Sequence, residues 1–271
     1  MTQANSDKYS LRRKELEEYS AIINNIRETA GATLTATLVA DLQAFDINMS
    51  SEEWNELRAR LIDDLYQART YYSDIAGLAA CELYDSLIAS RSIAVSSASM
   101  PAQVEFIACE KTVRSLAGLL FEGNAQKFVE QVVENAENGV ASFANETIMF
   151  NAKRDRSRGV MYARVPVGSE TCAFCIMLAS RGFDYYSEKS AEGNKHVHPH
   201  CDCRVIPGFE GDKVEGYDQK RYEDIYDQGN KGKGANDTLN NIRRNLYSER
   251  KDHINEQKRA LYAKNKQRDA Q

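Results

Sequence analysis

The chain has 271 residues, of which 42% are apolar and 28% charged, with a formal net charge of −5 and a mean hydropathy of −0.57. These values suffice for a hydrophobic core and exclude collagen-like and wholly disordered chains. No window approaches the roughly 20 uninterrupted apolar residues that a membrane-spanning helix needs, and the first residues lack the apolar core of a secretory signal. We therefore expect a globular protein that is made in a cytoplasm and does not enter a membrane.

Glycine and proline are unevenly distributed. Residues 1–150 contain 5 of the 15 Gly and 1 of the 4 Pro, whereas residues 151–234 contain the other 10 Gly and 3 Pro. A segment with few glycines and prolines favours helices, whereas a segment with many of them favours irregular structure. The sequence therefore predicts a mainly α protein: a helical bundle domain over 1–150, a small loop-rich α+β module over 151–234 and a basic C-terminal helix or tail over 235–271.

Two long helices are predicted first. Apolar residues recur at steps of three and four over 19–45 and again over 54–87, which places them on one stripe of each helix. Ser50 and Glu53 have the spacing of a capping box and predict the start of the second helix.

Two further helices complete the predicted bundle. Pro101 is suited to the first turn of a third helix, whose apolar residues fall within 106–120. Gly123 and Asn124 end this helix, and apolar residues over 128–143 mark a fourth. We expect the four apolar stripes to form the core of an all-α bundle.

Two segments are rich in basic residues. Residues 151–164 contain five basic residues and one acidic residue, and the candidates for contact with phosphate are Lys153, Arg154, Arg156 and Arg158, with Arg164 close by. Non-specific DNA contact and a solvated linker both fit such a run. Residues 236–271 contain nine Lys/Arg and five Asp/Glu with few apolar residues, which favours an exposed or partner-docking helix.

The six cysteines are too few for a disulfide-stapled scaffold in a chain of this length. Cys81 and Cys109 lie on apolar faces of predicted helices, where a cysteine is typically a small buried hydrophobe. The other four cysteines lie in one short stretch together with three of the four histidines. This stretch is where we expect a site.

Cys172 and Cys175 form a C-x2-C pair at the predicted start of a short helix, where free N–H groups favour the thiolate. A second group, His198, Cys201 and Cys203, follows at a distance that lets two ligand pairs close a tetrahedral zinc site. The predicted ligands are Cys172, Cys175, Cys203 and one of His198 and Cys201, with cysteine-only ligation as the leading form. Reduced thiols in a core, or disulfides formed outside the cell, are the alternatives.

Three catalytic interpretations of the cluster were weighed. A zinc deaminase places H-x-E before its cysteine pair, whereas here the pair comes first and no Glu follows the histidines at that spacing. A thioredoxin-like redox site needs a surrounding βαβ unit and gives no role to Cys201 or Cys203. A His-Cys zinc nuclease needs an acidic residue beside its base histidine, but Val197 precedes His198. We expect no enzymatic activity, and keep a zinc-containing nucleic-acid-binding protein or nuclease, and then a thiol redox protein, as alternatives.

The spacing of the cluster resembles the signature of the MuF-like minor head proteins of tailed bacteriophages. The matching elements are Cys172-x2-Cys175 and His198-Pro199-His200-Cys201-Asp202-Cys203. A wider similarity, to the branch found in phages and prophages of actinobacterial hosts, runs over about residues 150–230. In the family's motif His198, not His200, is the equivalent histidine.

The resemblance implies a non-enzymatic minor capsid protein of the virion head, present in few copies. It implies association with the portal or major capsid protein and the head interior, and a role in head assembly or genome delivery. By the same resemblance the chain would reside in the virion, and in the host cytoplasm during assembly.

Overall fold

The computed structural model describes residues 10–91, 93–103, 105–168, 171–184, 203–230 and 234–268. Within these ranges the protein is mainly helical with a small antiparallel two-stranded sheet, which confirms the predicted fold class at that level. The helices and strands, in chain order, are α1 (Arg13–Asp41), α2 (Ser51–Ala89), α3 (Phe106–Leu116), α4 (Gly118–Phe121), α5 (Ala125–Arg154), β1 (Met161–Val165), α6 (Ala173–Ala179), β2 (Arg204–Gly208), α7 (Gln219–Gly229) and α8 (Ala235–Arg268).

These elements pack as two compact units. The first, here the bundle unit, takes its residues from Met1–Val167 and Phe183–Tyr217, and the second, the small unit, from Gly168–Gly182 and Asp218–Gln271. The domain division predicted at residues 150 and 234 stays a prediction.

Helices α1 and α2 pack antiparallel in the bundle unit. The hydroxyls of Thr33 and Tyr72 share a hydrogen bond of 2.9 Å, and further along, Arg60 lies 3.6 Å from Asp41. The residue numbers of the partners on α2 therefore decrease as those on α1 increase, which is the pattern of antiparallel helices. Helix α2 begins where its sequence predicts.

The start of α2 is fixed by the predicted capping box. The Glu53 N–H donates to the Ser50 hydroxyl at 3.2 Å, and the Ser50 N–H donates to the Glu53 carboxylate at 2.7 Å. Two backbone donors that the first turn of a helix leaves unpaired are thereby satisfied. The hydrogen bonds with Ser50 also lower the pKa of Glu53.

Two glycines allow α2 and α5 to approach closely. A Cβ atom at Gly77 would lie 2.8 Å from the Phe143 ring, and one at Gly139 would lie 2.6 Å from Arg69 Nε. Arg69 also donates to Asn135 at 3.3 Å. Since the partners on both helices advance together, α2 and α5 run parallel, and α1 completes a three-helix core.

The bundle core confirms the predicted apolar stripes in large part. One apolar cluster of the core joins α1, α2, α3 and α5, and its fully buried members include Leu34, Leu38, Leu61, Leu65, Val113, Phe128 and Val132. Ile22 and Ile75, which the spacing also placed on these stripes, are exposed. Ile22 adjoins the buried Ile23, and neighbouring residues on a helix point about 100° apart, so only one of them faces the core.

The predicted third helix is wrong at its beginning. Pro101 lies in a segment without regular secondary structure, residues 93–103, which we call the strap, and α3 begins only at Phe106. The Asn151 side chain donates to the Ser99 carbonyl at 2.8 Å and accepts from the Ser99 N–H at 3.0 Å. A side chain of α5 thus supplies the hydrogen bonds that a helical turn would have supplied.

The small unit contains α6, α7 and α8. Its core consists of Ala173, Ile176 and Ile242, against which partly buried residues of α7 and α8 pack. Ile242 is fully buried, so the beginning of the helix that was predicted to be exposed or partner-docking packs within the small unit. None of the helices in the described residues has the length and apolar character needed to cross a bilayer.

A carboxyl pair joins the end of α1 to α2. Asp64 on α2 hydrogen-bonds Asp41, and one Asp64 oxygen is buried. Burial, this hydrogen bond and the charges of Asp41 and Asp63 raise the pKa of Asp64 to about 7, and Arg60 partly opposes the shift. The folded protein therefore retains at Asp64 a proton that the unfolded chain loses near pH 4.

This retained proton makes stability fall as pH rises. Between about pH 4 and pH 7 the folded state binds more protons at Asp64 than the unfolded state, so the free energy of unfolding decreases across that window. Asp64→Asn, which is neutral at every pH, should be more stable than the parent at pH 8, and the difference should shrink toward pH 5. Urea denaturation at both pH values measures the difference in the free energy of unfolding between variant and parent. The exposed Glu56→Gln is the control. An equal difference at both pH values would contradict the assignment.

Candidate functional site

The C-x2-C pair lies at the beginning of α6, as its spacing predicts. Cys172 is the N-cap residue, and its sulfur accepts a hydrogen bond from the Cys175 N–H at 3.3 Å. Cys175 is buried and Cys172 half-buried. Beyond the helix, Gly182 adopts the left-handed φ of 62° and Gln219 donates to the Ser180 carbonyl at 3.3 Å. The pair therefore sits on a short helix held by packing within the small unit.

Cys203 lies in the bundle unit. It directly precedes β2, is buried, and its carbonyl accepts from the Arg204 guanidinium at 3.3 Å. The predicted ligands His198 and Cys201, like His196 and His200, fall outside the described residues. Among the residues that the structure does describe, no three His, Cys, Asp or Glu side chains are grouped as a metal site would require. The zinc set thus stays a prediction.

The thiol redox interpretation requires a particular fold around the helix that carries the cysteine pair. A thioredoxin-like C-x2-C begins a helix within a βαβ unit. In the described part of the small unit, α6 is surrounded by α7 and α8. This environment does not favour the redox interpretation.

The two strands bury a pair of arginines that the sequence did not reveal. In the antiparallel register Arg164 lies opposite Val205, and Val165 opposite Arg204, and both arginines are almost completely buried. Arg204 donates to the Asn24 side chain at 2.6 Å. Arg164 is one of the five basic residues of 151–164, but it is buried and does not face solvent. A signal was available, because Arg164 stands between apolar residues rather than in the polar run before it.

Tyr19 and Asn145 contact the same strands from the helices. The Asn145 side chain accepts from the Val205 N–H at 3.1 Å. Burial raises the pKa of Tyr19, and the positive charge of the nearby Arg204 partly opposes this shift. Strands that carry arginines pack stably on helices when the buried arginines have polar neighbours and a nearby buried tyrosine stays neutral. We assign this cluster a structural role.

The basic run is the end of α5 and not a linker. Lys153 and Arg154 lie in the last turn of α5, and Arg156 and Arg158 lie in a one-turn 3-10 helix. Basic residues in a last turn are favoured by the helix dipole. Lys153, Arg156 and Arg158 have exposed side chains, which is compatible with the predicted phosphate contact without testing it.

Arg154 is engaged within the bundle. Its guanidinium donates to the carbonyls of Ser96 and Ser97 in the strap at 2.7 and 2.9 Å, and lies 2.7 Å from the buried Asp155 carboxylate. Asp155 accepts in turn from the Tyr84 hydroxyl at 2.9 Å. Burial, the hydrogen bond to Asp155 and the Asp155 charge raise the pKa of Tyr84. One basic residue of the run thus joins α2, α5 and the strap.

Comparison with known proteins gives a family and a phage relative. The model of a family described as VG15 protein matches residues 10–229. The "Gene 15 protein" of Mycobacterium phage D29 is 32% identical over 130 residues, which cover 37% of this chain and 46% of that protein. The match thus spans about half the length of the relative. No solved structure matches.

Loss of the Arg154 side chain should destabilise the bundle unit. Arg154→Ala leaves the buried Asp155 carboxylate without its cation and removes the side-chain bonds to two strap carbonyls, at a cost of about 2 kcal/mol in the free energy of unfolding. Arg158→Ala removes an exposed charge from the same run and should change stability by less than about 0.5 kcal/mol. Chemical denaturation of both variants measures the difference. Equal losses would show that Arg154 has no such role.

Proposed function

Because the chain belongs to the VG15 protein family, we propose that it is a phage minor capsid protein, a non-enzymatic structural component of the virion head. The family match over residues 10–229, together with the relative from Mycobacterium phage D29, carries the proposal. The cysteine and histidine spacing that resembles the MuF-like minor head proteins supports the finer placement. The portal protein or the major capsid protein is the partner that this role requires.

The architecture is suited to a structural component of a virion. A bundle of long helices with a continuous core, joined by side-chain bonds such as those of Arg154 and Asn151, gives a rigid body. Exposed apolar side chains on α2 and α3, including Leu78 and Ile107, offer contact surface for a protein partner. Non-specific contact with packaged DNA through Lys153, Arg156 and Arg158 would add to this role.

We include zinc in the proposal as a structural ion. Cys172 and Cys175 would supply one ligand pair, and Cys203 with His198 or Cys201 the other, which is the closed donor set of a structural zinc site. The Cys172 sulfur already accepts a backbone N–H, a contact that stabilises a thiolate. Such an ion would contribute to folding free energy and would not supply catalysis.

The virion role predicts where the protein is found. Purified virions of the phage that encodes the chain should contain it in few copies by quantitative mass spectrometry. Deleting the gene should lower the yield of infectious particles, and supplying it in trans should restore the yield. Normal, fully infectious particles that lack the protein would contradict the proposal.

The zinc proposal predicts the metal content of the purified protein. It should contain about one zinc per chain, and Cys172→Ser should lower both the zinc content and the melting temperature because a ligand is lost. Cys81→Ser, a half-buried cysteine on α2, is the matched control and should keep the zinc. A metal-free protein that melts at the same temperature as the loaded one would exclude a structural zinc.

A further inference from the structure

An open groove of about 860 Å³ runs between the C-terminal half of α1 and the N-terminal half of α5 in the bundle unit. Its floor is apolar and includes Val39, Leu42, Val129 and Val133. Val39 has half of its surface exposed. Burying such a floor is favourable, since removal of apolar surface from water contributes about 25 cal/mol per Å².

The side of the groove formed by α5 is acidic. Glu130, Glu134 and Glu137 line it, and no Lys or Arg is among the lining residues, all of which belong to the described chain. Gln126 donates to Glu130 at 2.8 Å, and Glu137 lies against Gly31 of α1. An apolar floor beside carboxylates fits an amphipathic helix with basic residues next to its apolar ones.

The far part of α8 has this character. Residues 248–268 contain seven Lys/Arg and three Asp/Glu. In the sequence, Ile254, Lys258 and Leu261 occupy positions i, i+4 and i+7, a spacing that favours one face of a helix. Lys258 and the adjacent Arg259 are exposed.

The length of α8 exceeds what the small unit can cover. Its 34 residues span about 51 Å, whereas the 11 residues of α7 span about 16 Å. Among the side chains that the structure describes, the apolar contacts of α8 in the core of the small unit come from Leu239, Ile242 and Leu246, all near its beginning. Two thirds of the helix therefore extend past α7.

We propose that the groove between α1 and α5 binds the basic far part of α8 from a second copy of this chain. Each chain carries both the groove and the helix, so two chains can exchange helices in a closed dimer, and repeated head-to-tail contacts close into a ring when the rotation allows. Opposite charges on the groove and the helix set the orientation and make the association sensitive to salt.

Sedimentation of the full-length chain at increasing concentration tests the proposal. The parent should self-associate, and added salt should weaken the association. Glu130→Lys with Glu134→Lys (the groove variant), and Lys258→Glu with Arg259→Glu (the helix variant), should each weaken it at least about tenfold. Glu28→Lys and Arg243→Glu change the charge of exposed residues outside the groove and outside residues 248–268, and should leave it unchanged.

A mixture of the groove variant and the helix variant distinguishes contact between chains from contact within one chain. Only one intact groove and one intact helix remain in the pair, so a 1:1 heterodimer should form and no larger species. A mixture that stays monomeric, or a parent that is monomeric at every concentration, would overturn the proposal. The measurement uses the purified chain, so its result does not depend on the virion role.

Discussion

The close parallel packing of α2 on α5 is the constraint on which the bundle unit depends. It is possible because Gly77 and Gly139 leave room for a phenyl ring and a guanidinium that any larger residue would displace. With the two helices at this separation, Tyr84 on α2 reaches Asp155 just beyond α5. Arg154 and Asn151 can then hold the strap across them, and the two-stranded sheet packs on the same pair of helices.

The sequence predicted those parts of the fold that follow from local pattern. The capping box at Ser50 and the N-cap position of Cys172 depend on a few neighbouring residues, and both are found where expected. The strap was missed because its hydrogen bonds come from Asn151 and Arg154, more than 50 residues away. The burial of Arg164 had a local signal in its apolar neighbours, whereas its position opposite Val205 depends on the pairing of distant strands and does not follow from local pattern.

The predicted site residues are not grouped in the structure as the sequence suggested. The cysteine pair belongs to the small unit and Cys203 to the bundle unit. Of the basic run, Arg154 is a structural residue while its neighbours remain exposed. The groove could not be predicted at all, because it exists only where two helices distant in sequence lie side by side.

The parallel arrangement of α2 and α5 also bears on the order in which the chain folds. Helices α1 and α2 are antiparallel neighbours joined by a short connection, so their contacts form over short loops and at low entropic cost. Helix α5 can join them only after the strap, α3 and α4 have carried the chain back along the bundle. During synthesis, α1 and α2 therefore leave the ribosome with the face of α2 that carries Gly77 still uncovered. This partly formed hairpin is the stage most exposed to misassociation until α5 docks.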